Sequence, residues 1–375
     1  MTPIPDPAGS WALPVAACVG AAVGWTAGWA VGRVADPAAR PSAAGRRLGH
    51  AALVVALAAA AAALWRWEVV ARGQLPSAAM DATVEALAWR WAGHVIFLGF
   101  LAAAASIDLR ERVIPDAITL PGVLAGLAWS GFVPRSLPPV AREMPRSFAA
   151  PLVAPDVLGV CGPVGGADLP AWLGPAPAVT GLVVAASLFV GWWFSCTSPA
   201  ERGASGRRPF DLRLPALAAG LVGIGWAWWR GGDHWPATLS ALVGMAAGVA
   251  VVWSTRLGAS RALGREAVGF GDVTLIAVIG AWLGWQGVVL ACCLGVLVGL
   301  VHGVVRFVVA RDNELPFGPG LCVGAALVIV AWRPLWERVG PAFARPLEIA
   351  VVAGLVIVLT AVVLAVWRPR QGSAA

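Results

Sequence analysis

Along the chain, long apolar runs alternate with short polar breaks rich in arginine. The runs fall at about residues 11–32, 48–66, 84–107, 117–133, 176–196, 214–229, 237–253, 272–284, 286–309, 319–332 and 346–367. Most reach the roughly 17–25 residues a helix needs to cross a bilayer. The runs at 214–229 and 272–284 are shorter, and these two are expected to tilt or re-enter. Backbone polar groups in lipid must be satisfied within the segment, so such runs form helices. The pattern predicts an all-α polytopic transmembrane helical bundle with about 9–11 spans, counting short or re-entrant segments.

One stretch breaks the rhythm. Residues 134–177 hold ten prolines and little periodic hydrophobicity, which predicts an extended or disordered loop outside the membrane. The organisation that follows is N-terminal helices over 1–83, a second group over 84–133, and an insertion over 134–236. A core group then covers 237–333, with a last span and tail over 334–375.

Composition agrees with this pattern. Hydrophobic residues make up 59% of the 375 and charged residues 13%, against about 25% charged in an ordinary soluble domain. That excludes a soluble two-domain enzyme. All 27 basic residues are arginine, and the net charge is +7. Alternating the runs from an outside N-terminus puts 17 of those arginines on one side, which the positive-inside rule marks as cytoplasmic. No basic stripe interleaved with aromatics lies outside the apolar runs, so nucleic acid is not expected as a partner. Six cysteines form no C-x-x-C pair and four histidines stand singly, so no metal, zinc site, disulfide framework or cofactor is expected. Tryptophan clusters at 65/67, 89/91, 192/193, 226/228/229 and 332/336 fall near run ends and read as interfacial anchors.

Two aspartate-bearing segments carry the candidate chemistry. The first runs Ser106-Ile107-Asp108-Leu109-Arg110-Glu111-Arg112-Val113-Ile114-Pro115-Asp116. Asp108 ends a long apolar run, where a solvated carboxylate paired with Arg110 or Arg112 is the plain alternative to a functional role. Pro115 interrupts helix geometry, and Asp116 is expected to cap the next helix. The second segment, Glu266-Ala267-Val268-Gly269-Phe270-Gly271-Asp272, passes directly into apolar sequence. Gly269 and Gly271 permit a tight turn that delivers Asp272 to a helix N-terminus at the membrane boundary. The alternation puts both segments on one side of the bilayer. Two carboxylates meeting between helices there can share a proton and activate water, as in aspartic proteolysis.

These segments resemble a known family. Asp108 to Thr119 is similar to the D-x-R-x-x-x-I-P-D-x-x-T motif of the prepilin peptidases, type IV leader peptidases among the G-x-G-D membrane aspartyl proteases. Glu266 to Trp285 resembles the second motif, and Pro316-Phe317-Gly318-Pro319 resembles a P-F-G-P turn before a late span. The resemblance implies Asp108 and Asp272 as catalytic residues. It implies Asp116, Glu266, Gly269, Gly271, Pro316 and Gly318 as residues that shape the site. The implied activity is cleavage of the basic leader of prepilin or pseudopilin precursors at the cytoplasmic face of the inner membrane, serving type IV pili or type II secretion. The lipid bilayer and the precursor are the implied partners, and no cofactor is required. Thr274 stands where the family usually has lysine, and only 33–47 lies between the first two runs, without cysteine. The family's accompanying N-methyltransferase activity is therefore not expected.

Other readings have specific signatures. Presenilin-type proteases share G-x-G-D but pair it with Y-D and P-A-L motifs, and this chain contains no tyrosine. An inactive paralogue, a membrane scaffold or a transporter is the remaining alternative. Proton-relay carboxylates usually lie mid-span, whereas Asp108 and Asp272 lie at run ends. Those ends cast Asp272, at a helix N-terminus, as the base and Asp108 as the acid.

Overall fold

A computed structural model describes residues 9, 11–35, 42–75, 83–141, 149–151, 178–197, 213–264, 266, 268–310, 317–344 and 346–367. Apart from short links, these residues are helical, except for a pairing of β1 (Pro139–Ala141) with β2 (Ala149–Pro151) inside the expected loop. The helices are α1 (Ala12–Val34), α2 (Ala43–Leu64), α3 (Val84–Glu111), α4 (Asp116–Phe132) and α5 (Val179–Thr197). They continue as α6 (Arg213–Arg230), α7 (His234–Leu263), α8 (Phe270–Ala310), α9 (Phe317–Val339) and α10 (Pro346–Trp367). Six apolar helical segments are long enough to cross a membrane, among them α3, α7 and α9. The protein is thus a multi-pass helical bundle, and each expected run lies on a helix.

The helix ends follow local chemistry. The Ser42 hydroxyl accepts from the Gly45 N–H at 3.2 Å to open α2, and the Thr83 hydroxyl accepts from the Ala86 N–H at 3.3 Å to open α3. Left-handed residues close α3 at Arg112 (φ 55°) and α7 at Gly264 (φ 67°). Pro115 enters α4 in extended geometry, so Asp116 is the first helical residue. The expected cap is corrected accordingly: Pro115 holds the cap position, and Asp116 places its charge in the first turn, which the helix dipole favours.

The runs at 272–284 and 286–309 turn out to be the two arms of α8. Gly284, at φ 70° and ψ −179°, breaks the helix between them. Gly248 on α7 lies close to both Ile276 and Val288, one before and one after that break. The chain therefore doubles back at Gly284, and the two arms run antiparallel. Glycines let the first arm pack tightly on α7. A Cβ on Gly244 or on Gly280 would collide with the other's backbone, the kind of close approach small residues give membrane helices. Trp282 fixes the first arm to α4 by donating from Nε1 to the Gly122 carbonyl at 2.9 Å, and it stacks on Phe97 at 5.5 Å.

The tryptophan clusters need correction. Trp65, Trp91, Trp192, Trp332 and Trp336 are buried within the protein, while Trp89 and Trp229 are exposed. Trp65 meets Trp91 edge-on at 5.0 Å, and Trp332 stacks on Trp336 at 5.4 Å. Position near a run end does not separate an anchor from a packing residue, because these ends also meet neighbouring helices.

Candidate active site

The site forms where the end of α3, the start of α8 and the start of α9 converge. Asp108 lies in the last turn of α3 and is 6% exposed, and Asp272 lies in the first turn of α8 and is 8% exposed. The two are within electrostatic reach of one another. Glycines and one isoleucine set this convergence. A Cβ on Gly318 of α9 would stand 2.5 Å from Asp108 Oδ2 and 2.9 Å from Ile114 Cδ1. A Cβ on Gly271 would stand 3.0 Å from Ile114 Cβ. Ile114, buried in the link between α3 and α4, is thus wedged between the helix that carries Asp272 and the glycine that faces Asp108. Side chains at 271 and 318 would push the two carboxylates apart.

The two aspartates are held differently. The Asp272 N–H donates to the Gly269 carbonyl at 3.2 Å, and the Asp272 carboxyl group is hydrogen-bonded to the Gly269 backbone. This reciprocal arrangement anchors Asp272 in the manner of a capping box. Asp108 Oδ2, by contrast, is buried with no hydrogen-bond partner. The plain alternative for Asp108, a solvated turn carboxylate, does not hold. Such an oxygen costs about 1–3 kcal/mol of desolvation unless something occupies it.

The remaining expected site residues divide. Gly269, Gly271 and Gly318 lie at the convergence. Asp116 is half-buried at the start of α4, two residues beyond Ile114. Glu266 does not reach the carboxylates. It is exposed and pairs with Arg256 of α7 at 2.8 Å, and Arg256 Nε donates to the Val268 carbonyl at 3.1 Å. Arg256 also lies 5.4 Å over the Phe270 ring. Glu266 therefore acts through Arg256, strapping down the turn that delivers Asp272. Pro316 lies outside the described residues.

Two contributors escaped the sequence reading. Ile114 carries no polar signal, although it stands in the quoted motif. Cys322 on α9 is buried within reach of both aspartates and is hydrogen-bonded to the Ala105 backbone. A lone cysteine in an apolar run carries nothing in sequence to distinguish it. Thr274, in the family's lysine position, turns its hydroxyl back to the Gly271 carbonyl at 2.9 Å and so braces the same turn.

Comparison with known proteins bears on this geometry. Residues 207–304 match the type IV leader peptidase family, a stretch that includes Asp272 but not Asp108. The prepilin leader peptidase/N-methyltransferase of Burkholderia pseudomallei (strain 1026b) is 34% identical over 143 residues, 36% of this chain and 43% of that protein. The protein of that name from Aeromonas salmonicida (strain A449) is 35% identical over 127 residues, 33% of this chain and 41% of its own. The one from Pseudomonas aeruginosa is 32% identical over 127 residues, again 33% of this chain and 41% of its own. The chain thus spans less than half the length of these curated relatives. No solved structure matches.

Proposed function

We propose that this chain, a relative of the type IV leader peptidases, is an integral-membrane aspartic endopeptidase. It removes the basic leader of prepilin- or pseudopilin-like precursors at the cytoplasmic face of the inner membrane. One observation carries the reading: two buried carboxylates from different helices, Asp108 and Asp272, meet at one end of the bundle. Side-by-side carboxylates cannot both ionise cheaply, so such a pair holds one proton in common. One member can then take a proton from water while the other donates a hydrogen bond to the scissile carbonyl. As the amide bond breaks, the proton passes to the departing nitrogen. Asp272, at a helix N-terminus, is the base, and Asp108, whose Oδ2 is free to bond substrate, is the acid. Gly269, Gly271, Gly318 and Pro316 shape the site, with Asp116 and Glu266 supporting it.

Orientation rests on the arginine excess on the side of Asp108 and Asp272. The product keeps an unmethylated N-terminus, since no cysteine lies between the first two helices. Co-expression of the full chain with a precursor bearing a basic leader, read as a mobility shift and by mass spectrometry, tests this. The expected result is a shortened, unmethylated product. An unprocessed set of such precursors would overturn the activity, and a methylated product the second claim. Cysteine labelling at Arg112 and Arg261, each replaced in turn, should occur from the cytoplasmic side for both. Labelling from opposite sides would end the shared-site model.

A further inference from the structure

Arg110 follows Asp108 by two residues, which on a helix turns it to the far flank of α3. It rests against α2 there: a Cβ on Gly49 would stand 3.1 Å from Arg110 Nη2. On that flank the end of α1, the start of α2 and the end of α3 enclose a recess of about 600 Å³. Among the described residues its rim carries Arg33, Arg46, Arg47, Arg110 and His50 against a single carboxylate, Glu111. Its wall, further along α1 and α2 toward the middle of the helices, is Val31, Ala51 and Leu53.

The rim is built rather than incidental. Arg33 lies 5.1 Å over the Trp29 ring, and His50 packs against Gly28, where a Cβ would stand 3.0 Å from the imidazole. The first turn of α2 contains no acidic residue, yet Arg46 and Arg47 follow within its first five positions. The positive end of a helix dipole attracts anions, so the start of α2 adds to the pull of these arginines on a phosphate. The arginine rim takes phosphate through charge-assisted hydrogen bonds. A soluble phosphate compound would gain nothing from the apolar wall, whereas an acyl chain would.

We propose that this recess binds an anionic phospholipid of the leaflet on the Asp108 side. Its phosphate lies among Arg33, Arg46, Arg47 and Arg110, and an acyl chain runs along Val31 and Leu53. Basic pockets between helices hold lipid phosphates by the same two terms, charge and apolar contact. The lipid joins three helix ends, one of them two residues beyond Asp108, so it also steadies the last turn of α3. The proposal stands apart from the peptidase reading, since binding is measured without turnover.

The test uses the purified full chain in phosphatidylcholine nanodiscs with increasing phosphatidylglycerol, with retained lipid counted by native mass spectrometry. One phosphatidylglycerol should be retained per chain. Combined Arg33→Gln, Arg46→Gln and Arg47→Gln should weaken retention about a hundredfold. Arg333→Gln with Arg338→Gln, removing charge from the other end of α9, should leave it unchanged. Ala51→Trp fills the recess while keeping every arginine, and it should also abolish retention, which guards against misfolding of the triple variant. Retention that survives both the triple variant and Ala51→Trp would overturn the proposal. So would equal loss in the Arg333/Arg338 control, or full displacement of the lipid by millimolar inorganic phosphate, which would make the ligand a soluble phosphate.

Discussion

Near its start α3 contributes His94 to a buried cluster with Glu68, and near its end it contributes Asp108 to another with Asp272, about 21 Å further along the helix. In the first cluster opposite types meet. His94 Nδ1 lies 2.9 and 3.0 Å from the two Glu68 oxygens, and Gln74 Nε2 donates to Glu68 Oε1 at 2.9 Å. Gln74 also donates to the Ile329 carbonyl on α9, and Arg90 lies within electrostatic reach of Glu68. The π-helical turn Trp65–Val70 at the end of α2 is what brings Glu68 inward. Each cluster keeps a buried atom without a hydrogen-bond partner, His94 Nε2 in the first and Asp108 Oδ2 in the second, but the second sets carboxylate beside carboxylate. A buried ionisable group that finds its complement ties helices together. One that is denied its complement is costly to keep, and that cost makes sense where the group is needed to bond something else.

This contrast is breakable by substitution. The largest expected effect is on turnover: Asp108→Asn and Asp272→Asn should each slow precursor cleavage by about 10²–10⁴-fold, the usual weight of a general acid or base. Thermal unfolding in detergent should not fall for Asp108→Asn, because the Oδ2 it alters has no partner to lose. Wild-type cleavage by either variant would remove that residue from the mechanism. A marked loss of stability in Asp108→Asn would make the two clusters alike.

Glu68→Ala should behave in the opposite way. Leaving His94 and Arg90 buried beside a missing carboxylate should cost about 3–5 kcal/mol of stability. Cleavage per folded molecule should persist. An unchanged melting temperature would show that the cluster holds nothing together.

Gly318→Ala sharpens the comparison within the second cluster. Its Cβ falls 2.5 Å from Asp108 Oδ2, so it displaces the carboxylate without removing it. A shift of that size should cost about 10²-fold in rate, visible in kcat for a model precursor. Unaltered kcat would show that the carboxylates tolerate misplacement.

The smallest effect is expected at the surface pair. Glu266 is exposed and pairs with Arg256 at the surface, so Glu266→Gln should change stability by less than about 1 kcal/mol. Its readout is cleavage at raised ionic strength, where wild type and variant should converge as the pair is screened. Complete inactivity of Glu266→Gln would place it among the reacting groups.

Much of the architecture was legible along the chain. Apolar runs reported the helices because lipid and protein interior impose the same demand on a backbone, and the breaks reported the ends. Asp108 and Asp272 were visible for the same reason: a carboxylate at the edge of an apolar run stands out against its neighbours. Their placement on one side followed from counting alternations, and the structure brings them within electrostatic reach of one another.

Tertiary structure decided what each residue meets. In a membrane the lipid-facing and protein-facing sides of a helix are both apolar, so hydropathy cannot say which side Trp332 or Trp229 faces, and one is buried while the other is exposed. The same blindness hid Ile114 and Cys322, apolar by pattern yet set against the aspartates. It hid the pairing of Glu68 with His94, since the two lie on different helices 26 residues apart. It also made Glu266 and Asp272 look like one motif, although one points to Arg256 and the other to Asp108. Local sequence sets which segments leave water. Only the packing of helices distant in sequence sets which carboxylates are complemented and which are set beside one another.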